Sequence, residues 1–239
     1  MSKYPKISFY ATPEHDCSYL EDKQAITLFA DPDYPKDKTI YSLLANNGFR
    51  RSGEHVYQPH CKSCQACVAV RVPVDKFSPN RSQRRNIKLN QDLDVSIMPA
   101  VFNQKHYELF EQYISTRHKD GGMDDFDEKS YQSFLFSSWA ETELMEFYLQ
   151  DELIAVAVMD LLDDGLSAVY SFFTPEHAKR SLGKFAILSQ IKLAKERGLQ
   201  YLYLGYWIEA CQKMRYKDEY QPLQYFINGN WFTLVEESN

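Results

Sequence analysis

The run His60-Cys61-Lys62-Ser63-Cys64-Gln65-Ala66-Cys67 places three thiols at three-residue intervals, and Cys17 is a fourth that folding could bring to them. Thiolates in a Cys-x2-Cys-x2-Cys spacing suit zinc or an iron–sulfur cluster. The competing reading is that buried cysteine behaves as a small hydrophobe, and Cys67 opens the apolar stretch 67–74. With Cys211 the chain has five cysteines, an odd number that argues against a disulfide framework. No His or Asp stands in a recognisable partnership with any of them, so a thiol nucleophile is not expected.

Four further segments have the residue types for chemistry. Arg180-x-x-Gly183-Lys184 opens a helical pattern over 181–197. A helix start offers free N–H groups and the positive end of the dipole to phosphate or to a developing oxyanion. A coenzyme A pyrophosphate loop would need Gly or Ala where Phe185 stands. Two acid-free basic blocks, Lys76/Arg81/Arg84/Arg85/Lys88 and Lys179/Arg180/Lys184/Lys192/Lys195, could meet a phosphate backbone or could be plain solvated helix faces. The stretch Arg117-His118 to Met123-Asp124 reads as a helix end followed by a glycine turn with two acids, a loop that could order around a ligand. Last, Leu204-Gly205-Tyr206-Trp207 ends a strand and runs into Lys213-Met214-Arg215-Tyr216-Lys217, a basic and aromatic segment whose rings could stack on a base.

These groups need a scaffold, and periodicity supplies one. Helices are expected over 39–47, 82–90, 104–117, 128–139 and 181–197, with a short one within 211–220. Strands are expected over 55–57, 67–74, 144–149, 153–161, 166–173 and 199–204, with a closing hairpin of 223–227 and 231–235 about Asn228-Gly229. Residues 1–100 look irregular and are expected to form a smaller α+β region, 101–239 a second domain. The expected class is α/β with a mixed, largely antiparallel sheet. The order in the second domain, an antiparallel meander, a helix and a further strand, resembles the GNAT acetyltransferase fold. Net charge is −6 with 33 acidic against 27 basic side chains, so any nucleic-acid contact must be local. The longest apolar stretch, 153–162, falls short of the about 18 residues a membrane span needs, and no secretory signal is seen, so a cytoplasmic protein with no membrane partner is expected.

Together the segments resemble the bacterial aspartate/glutamate leucyltransferases, relatives of eukaryotic arginyl-tRNA–protein transferase. The resemblance rests on Asp16-Cys17-x-Tyr19-Leu20, Leu28-Phe29-x-Asp31-Pro32, Tyr57-x-Pro59-His60-Cys61-x-x-Cys64-x-x-Cys67, Arg117-His118 to Met123-Asp124, Tyr170-x-Phe172-Phe173 and Leu204-Gly205-Tyr206-Trp207-Ile208 to Lys213-Met214-x-Tyr216-Lys217. It implies transfer of leucine from leucyl-tRNA to proteins that begin with Asp or Glu, which marks them for degradation under the N-end rule. It implies no cofactor for the chemistry itself. Cysteines of the eukaryotic relatives are thought to hold an iron–sulfur cluster, but Leu20 breaks their pairing pattern here.

On that resemblance, backbone N–H groups near Gly183 or Gly205 would hold the oxyanion, and Arg180 or Lys184 the phosphates of the tRNA 3′ end. Tyr206 or Trp207 would stack on the terminal adenine. Arg117, with Arg84 and Arg85 behind it, would take the acceptor carboxylate, and Asp124 would orient the amine. Tyr170 and Phe172 would contribute to a leucine pocket. His118, Lys213, Tyr216 and Lys217 complete the expected substrate contacts. Arginine as the transferred group, a coenzyme A-dependent N-acetyltransferase, an RNA-binding module and an adaptor for acidic N-termini remain open alternatives at this point.

Overall fold

The computed structural model describes residues 6–117 and 127–233. The strands are β1 (Phe9–Ala11), β2 (His15–Asp16), β3 (Gln24–Ala25), β4 (Thr27–Ala30), β5 (Arg50–Ser52), β6 (His55–Pro59), β7 (Val68–Pro73), β8 (Leu93–Pro99), β9 (Thr142–Leu149), β10 (Glu152–Leu161), β11 (Gly165–Phe173), β12 (Tyr201–Trp207), β13 (Gln224–Ile227) and β14 (Asn230–Thr233). The α-helices are α1 (Lys38–Asn46), α2 (Arg81–Leu89), α3 (Gln104–Arg117), α4 (Glu128–Leu135), α5 (Leu182–Glu196) and α6 (Gln212–Arg215).

Eight strands form one sheet in the order β14-β13-β7-β12-β11-β10-β9-β8, four form a second in the order β1-β4-β6-β5, and β2 and β3 pair alone. All pairings are antiparallel except β11 with β12. The mixed, largely antiparallel α/β class is therefore present. Both β7 and β8 precede residue 100 and both belong to the large sheet.

β10 explains how the layers stack. Side chains alternate along a strand, so Val156 and Val158 join the core under α3 and α4 while Ala155 and Ala157 join the core under α5. Buried on both faces, β10 reads as the near-continuous apolar run Ile154–Met159. A third core sits between the small sheet, α1 and the end of the large sheet, and contains Tyr41, Leu44, Val56, Leu162 and Tyr203.

Helix α4 ends at Leu135 instead of continuing to 139. Phe136 is extended, and the Ser138 amide and the Ser137 and Ser138 hydroxyls all donate to the Glu54 carboxylate. Serines that bond outside the helix compete with it. Trp139 thereby leaves the α4 face and packs edge-on against Tyr41 at 5.3 Å in the third core.

The feature that positions the site is the β11–β12 pair. These strands bond only through Gly165–Ser167 and Tyr201–Tyr203. Beyond that point β11 stays bonded to β10 and β12 to β7, but not to each other. Each strand carries an extra residue at the parting point. Val169 lies between the partners Ala168 and Tyr170, and Leu204 between Tyr203 and Gly205. Bulges bend a strand and raise its twist, so two of them on neighbouring strands pull the pair apart.

Candidate active site at the opening between two strands

Arg50 enters the opening from β5. Its Nη1 donates to Ser167 Oγ at 3.1 Å and to the Tyr203 carbonyl at 3.3 Å, and its Nη2 donates to the Ala168 carbonyl. The guanidinium therefore takes up acceptors on both strands where their own pairing stops. Gly205 stands against it: a Cβ there would lie 3.0 Å from Arg50 Nε, and the residue has φ of +81°. Both facts demand glycine. Gly205→Ala is expected to cost about 1–3 kcal/mol of stability, measured by urea denaturation; a loss below a few tenths would show that the strand tolerates a side chain there.

The next two residues of β12 face inward more than the sequence suggested. Tyr206 is 4% exposed and donates its hydroxyl to the carbonyls of Gly48 and Tyr57. A ring held that way has no open face for a base, so the expected adenine stacking by Tyr206 is corrected. Trp207 is half-buried, with its Nε1 bonded to the Arg215 carbonyl at 3.2 Å and its ring 5.6 Å from Tyr225.

Lys217 is the other surprise. Expected as a surface contact, it is 5% exposed and donates Nζ to the Tyr206 carbonyl at 2.6 Å and to Met214 Sδ at 3.5 Å. Burial, and then the Arg50 charge, pull its pKa down from 10.5 to about 7. Lys213 and Tyr216, on either side of the same turn, are exposed.

The α5 start holds its expected residues, though they are already engaged. Arg180 forms a two-pronged pair with Asp92 at 2.8 Å and also donates to the Leu89 carbonyl. Lys184 pairs with Glu219 at 2.7 Å. At Gly183 a Cβ would meet the Phe173 ring at 3.2 Å, so the helix start packs closely on β11. The Asn86 and Asn90 amides donate to the Arg180 carbonyl, which fixes α2 against the start of α5. The two basic blocks, remote in sequence, thus lie on adjoining helices, with Arg81, Arg84, Arg85, Lys88 and Lys179 exposed.

Phe172 is fully buried among Phe110 and Tyr131, so it is core and not a substrate contact. Tyr170 and Val169 are half-buried near the opening. His118, Asp124 and the Arg117 side chain lie outside the described residues.

Folding does bring the cysteines toward one another. Burial pushes the Cys67 thiol up to about 12, and Cys17, Cys61, Cys64 and Cys211 add to the shift. Cys211 was not anticipated; it reaches the cluster because α6 folds back beside β12. Yet among the described residues no group of three or more His, Cys, Asp or Glu side chains is placed to hold a metal ion. The residues in this arrangement do not fit zinc or an iron–sulfur cluster, so that expectation is corrected.

Two clefts lie elsewhere. One of about 840 Å³ is lined by Glu54, Asp127, Glu128 and Lys129 among others, and one of about 420 Å³ by Asp31, Asp33 and His55 with Tyr10 and Phe29. Acid-rich walls repel phosphate and carboxylate alike, so neither suits an RNA end or an acidic acceptor. No described helix is long and apolar enough to cross a membrane.

Comparison with known proteins gives the family. Residues 15–85 match the family model of the arginine-tRNA-protein transferase N terminus, and residues 105–227 match that of its C terminus. The chain is 52% identical over 98% of its length to the aspartate/glutamate leucyltransferase of Teredinibacter turnerae, of which it covers 97%. It is 49% identical over 97% of its length to that of Marinobacter nauticus, covering 98% of the relative. Against that of Saccharophagus degradans it is 47% identical over 98% of its length, covering the whole relative. The chain belongs to the aspartate/glutamate leucyltransferases of the arginine-tRNA–protein transferase family.

Proposed function

We propose that this protein moves leucine from leucyl-tRNA to the α-amine of proteins beginning with Asp or Glu, making them substrates for degradation in the cytoplasm. The observation that carries the reading is identity of about half over nearly the full length to leucyltransferases. The antiparallel β9-β10-β11 meander, followed by α5 and a β12 that parts from β11, supports a GNAT-like catalytic layer. Separate family matches over residues 15–85 and 105–227 support an N-terminal unit over 1–100 and a C-terminal unit over 101–239, with β7 and β8 of the first completing the large sheet of the second.

The aminoacyl ester lies in the opening between β11 and β12. Its leucyl side chain rests on Val169 and Tyr170, and backbone N–H groups freed where the strands part receive the oxyanion. The adjoining α2 and α5 surfaces, with Arg84, Arg85, Lys179, Arg180 and Lys184, follow the phosphates of the tRNA end. Trp207, with Lys213 and Tyr216 beyond it, flanks the terminal nucleotide. Arg117, His118 and Asp124 remain candidates for the acceptor side. Lys217, poised near pH 7, takes a proton from the acceptor α-ammonium, whose own pKa is about 7.7–8.0. The neutral amine attacks the ester carbonyl, the tetrahedral intermediate forms, its nitrogen releases its second proton to solvent, and the C–O bond to the ribose breaks. Lys217 then returns the proton to the departing ribose oxygen.

The test is transfer of radiolabelled leucine from leucyl-tRNA to peptides beginning Asp, Glu, Lys or Ala, with arginyl-tRNA in parallel. Label on the Asp and Glu peptides alone is expected. Transfer only from arginyl-tRNA would overturn the donor, and transfer from neither would sink the enzymatic reading.

A further inference from the structure

An acceptor that begins with Asp or Glu carries a carboxylate close to its reacting amine. In Asp the carboxylate carbon is two bonds from the Cα that bears the amine. A group that recognises it must therefore line the same opening that holds the ester. It must also be a cation without an acidic partner of its own, because a carboxylate already in place would repel the substrate.

The buried cations can be sorted on that criterion. Arg51 is committed to Asp160 through two 2.7 Å bonds. His106 is bonded to Glu146 at 2.6 Å. Arg71 lies against three rings, 3.6 Å from Tyr201, 4.2 Å from Trp231 and 5.5 Å from Tyr203, and bonds to Asn46, Gln224 and Tyr203, away from the opening. Arg50 and Lys217 differ. Among the described residues Arg50 bonds to a hydroxyl and two carbonyls, and Lys217 meets a carbonyl, a thioether and, at 5.3 Å, the Tyr216 ring; neither is paired with an acid. Both are more than nine-tenths buried, and they touch consecutive residues of β12, Arg50 against Gly205 and Lys217 at the Tyr206 carbonyl.

The donors that Arg50 leaves over decide the geometry. A guanidinium has five N–H groups. Nη1 uses both of its own and Nη2 uses one. The Nε–H and the second Nη2 N–H have no acceptor among the described residues. Nε and Nη2 are the two nitrogens of one guanidinium edge, the side on which a carboxylate can be bound through both of its oxygens. A Cβ on Gly205 would stand 3.0 Å from Nε, 3.2 Å from Cζ and 3.3 Å from Nη2, so any side chain there would press on the guanidinium on its Nε/Nη2 side. The three bonds from Nη1 and Nη2 meanwhile hold the fork fixed at the point where β11 and β12 part.

We infer that Arg50 is the residue that recognises the acceptor's side-chain carboxylate, binding it through the Nε/Nη2 edge beside Gly205, with Lys217 as the neighbouring cation that handles the acceptor amine. This rests on the leucyltransferase reading and adds its acceptor-specificity determinant. Arg84 and Arg85, exposed on α2, then belong to the tRNA surface instead.

The experiment compares two peptides that differ only in their first residue, Asp or its uncharged isostere Asn, with leucyl-tRNA as donor. Wild type is expected to prefer Asp. Arg50→Lys keeps a positive charge but cannot offer a fork. It should lose about 100-fold or more in kcat/KM on the Asp peptide, mainly through the acceptor KM, and only a few-fold on the Asn peptide, with the KM for leucyl-tRNA unchanged. Equal losses on both peptides would make Arg50 a wedge that only holds the strands apart, and an intact preference for Asp would remove it from recognition; either overturns the inference. If Arg50→Lys lacks a cooperative thermal transition, wild type decides. With arginine labelled by ¹⁵N, the Nε–H signal of Arg50, assigned through its own side chain, should shift on saturation with the Asp peptide and not with the Asn peptide. No differential shift overturns the proposal. Failure of wild type to transfer leucine to any peptide is a failure of the leucyltransferase reading, and the inference falls with it.

Discussion

Replacing Lys217 with methionine is expected to lower kcat by about 10²- to 10⁴-fold, the range general acid–base groups contribute, and to remove one limb of the pH–rate profile. In wild type, kcat/KM should rise with pH through an apparent pKa near 7, because Lys217 must be neutral to accept a proton and burial brings it to about 7. Methionine matches the length of the buried stem without the charge, so the limb should disappear while the fold persists. Stability supplies an independent check. Lysine is ordinarily protonated below 10.5, and the folded state lets go of that proton at about 7. Below pH 7 both folded and unfolded chains carry it, and the full burial cost is present. Between about 7 and 10.5 the unfolded chain binds more protons, so this residue's contribution to stability rises with pH across that window. Lys217→Met should be at least as stable as wild type at pH 6 and should lack the rise. Calorimetry from pH 6 to 10 beside steady-state kinetics reads both. A variant within a few-fold of wild-type kcat, or one that keeps the limb near pH 7, would remove Lys217 from proton transfer.

The largest stability effect is expected at Arg51. Its Nε and Nη2 bind the two oxygens of Asp160 at 2.7 Å, and both side chains are fully buried. Thr142 and Tyr41 also donate to Asp160, and Arg51 reaches the carbonyls of Gly53 and Leu135. One ion pair thereby ties β5, α1, the end of α4 and β10 together. Arg51→Met leaves Asp160 charged, buried and without its cation, a loss of about 3–5 kcal/mol, read as a lower urea midpoint with unchanged slope. Adding Asp160→Leu should recover much of the loss, since an apolar pair avoids the desolvation that a lone charge cannot. A single-variant loss below about 1 kcal/mol, in the range of an exposed pair, would show that the network tolerates opening. Arg50 and Arg51 are adjacent and both buried, yet their partners differ: Arg51 has a resident carboxylate, and Arg50 has an edge that awaits one.

Much of the scaffold was written in local pattern. The 3.6-residue spacing in 104–117 and 182–196 and the apolar run of β10 announce helices and a buried strand because each buries a whole face or both faces. The closing hairpin is set by Asn228-Gly229, which have φ of +49° and +80°. The family, too, was legible, in the cysteine run and the Leu204–Lys217 segment. The strands β1, β4, β5 and β8 were not. β1 and β8 are edge strands, β1 exposed throughout and β8 mostly so, which leaves no alternation to read, and β4 and β5 are four and three residues long, too short to show a period.

The proposed site was only half legible. Sequence singled out Gly205, Lys184 and Lys217, since glycine after a strand and basic residues near aromatics are local signals. It gave no sign of Arg50, whose neighbours in the chain, Gly48, Phe49 and Arg51, resemble an ordinary turn and strand start. Its importance arises because Ser167, Ala168 and Tyr203, more than a hundred residues away, turn their acceptors toward it. Nor could sequence tell a buried lysine from an exposed one: Lys213 and Lys217 look alike in the chain, but the last turn lays Lys217 under β12 and leaves Lys213 in water. Composition and spacing determined which chemical groups this protein has and which family it joins. Only the tertiary structure decided which charges are desolvated, which have partners and which stand ready for a substrate, because those properties depend on neighbours distant in the chain.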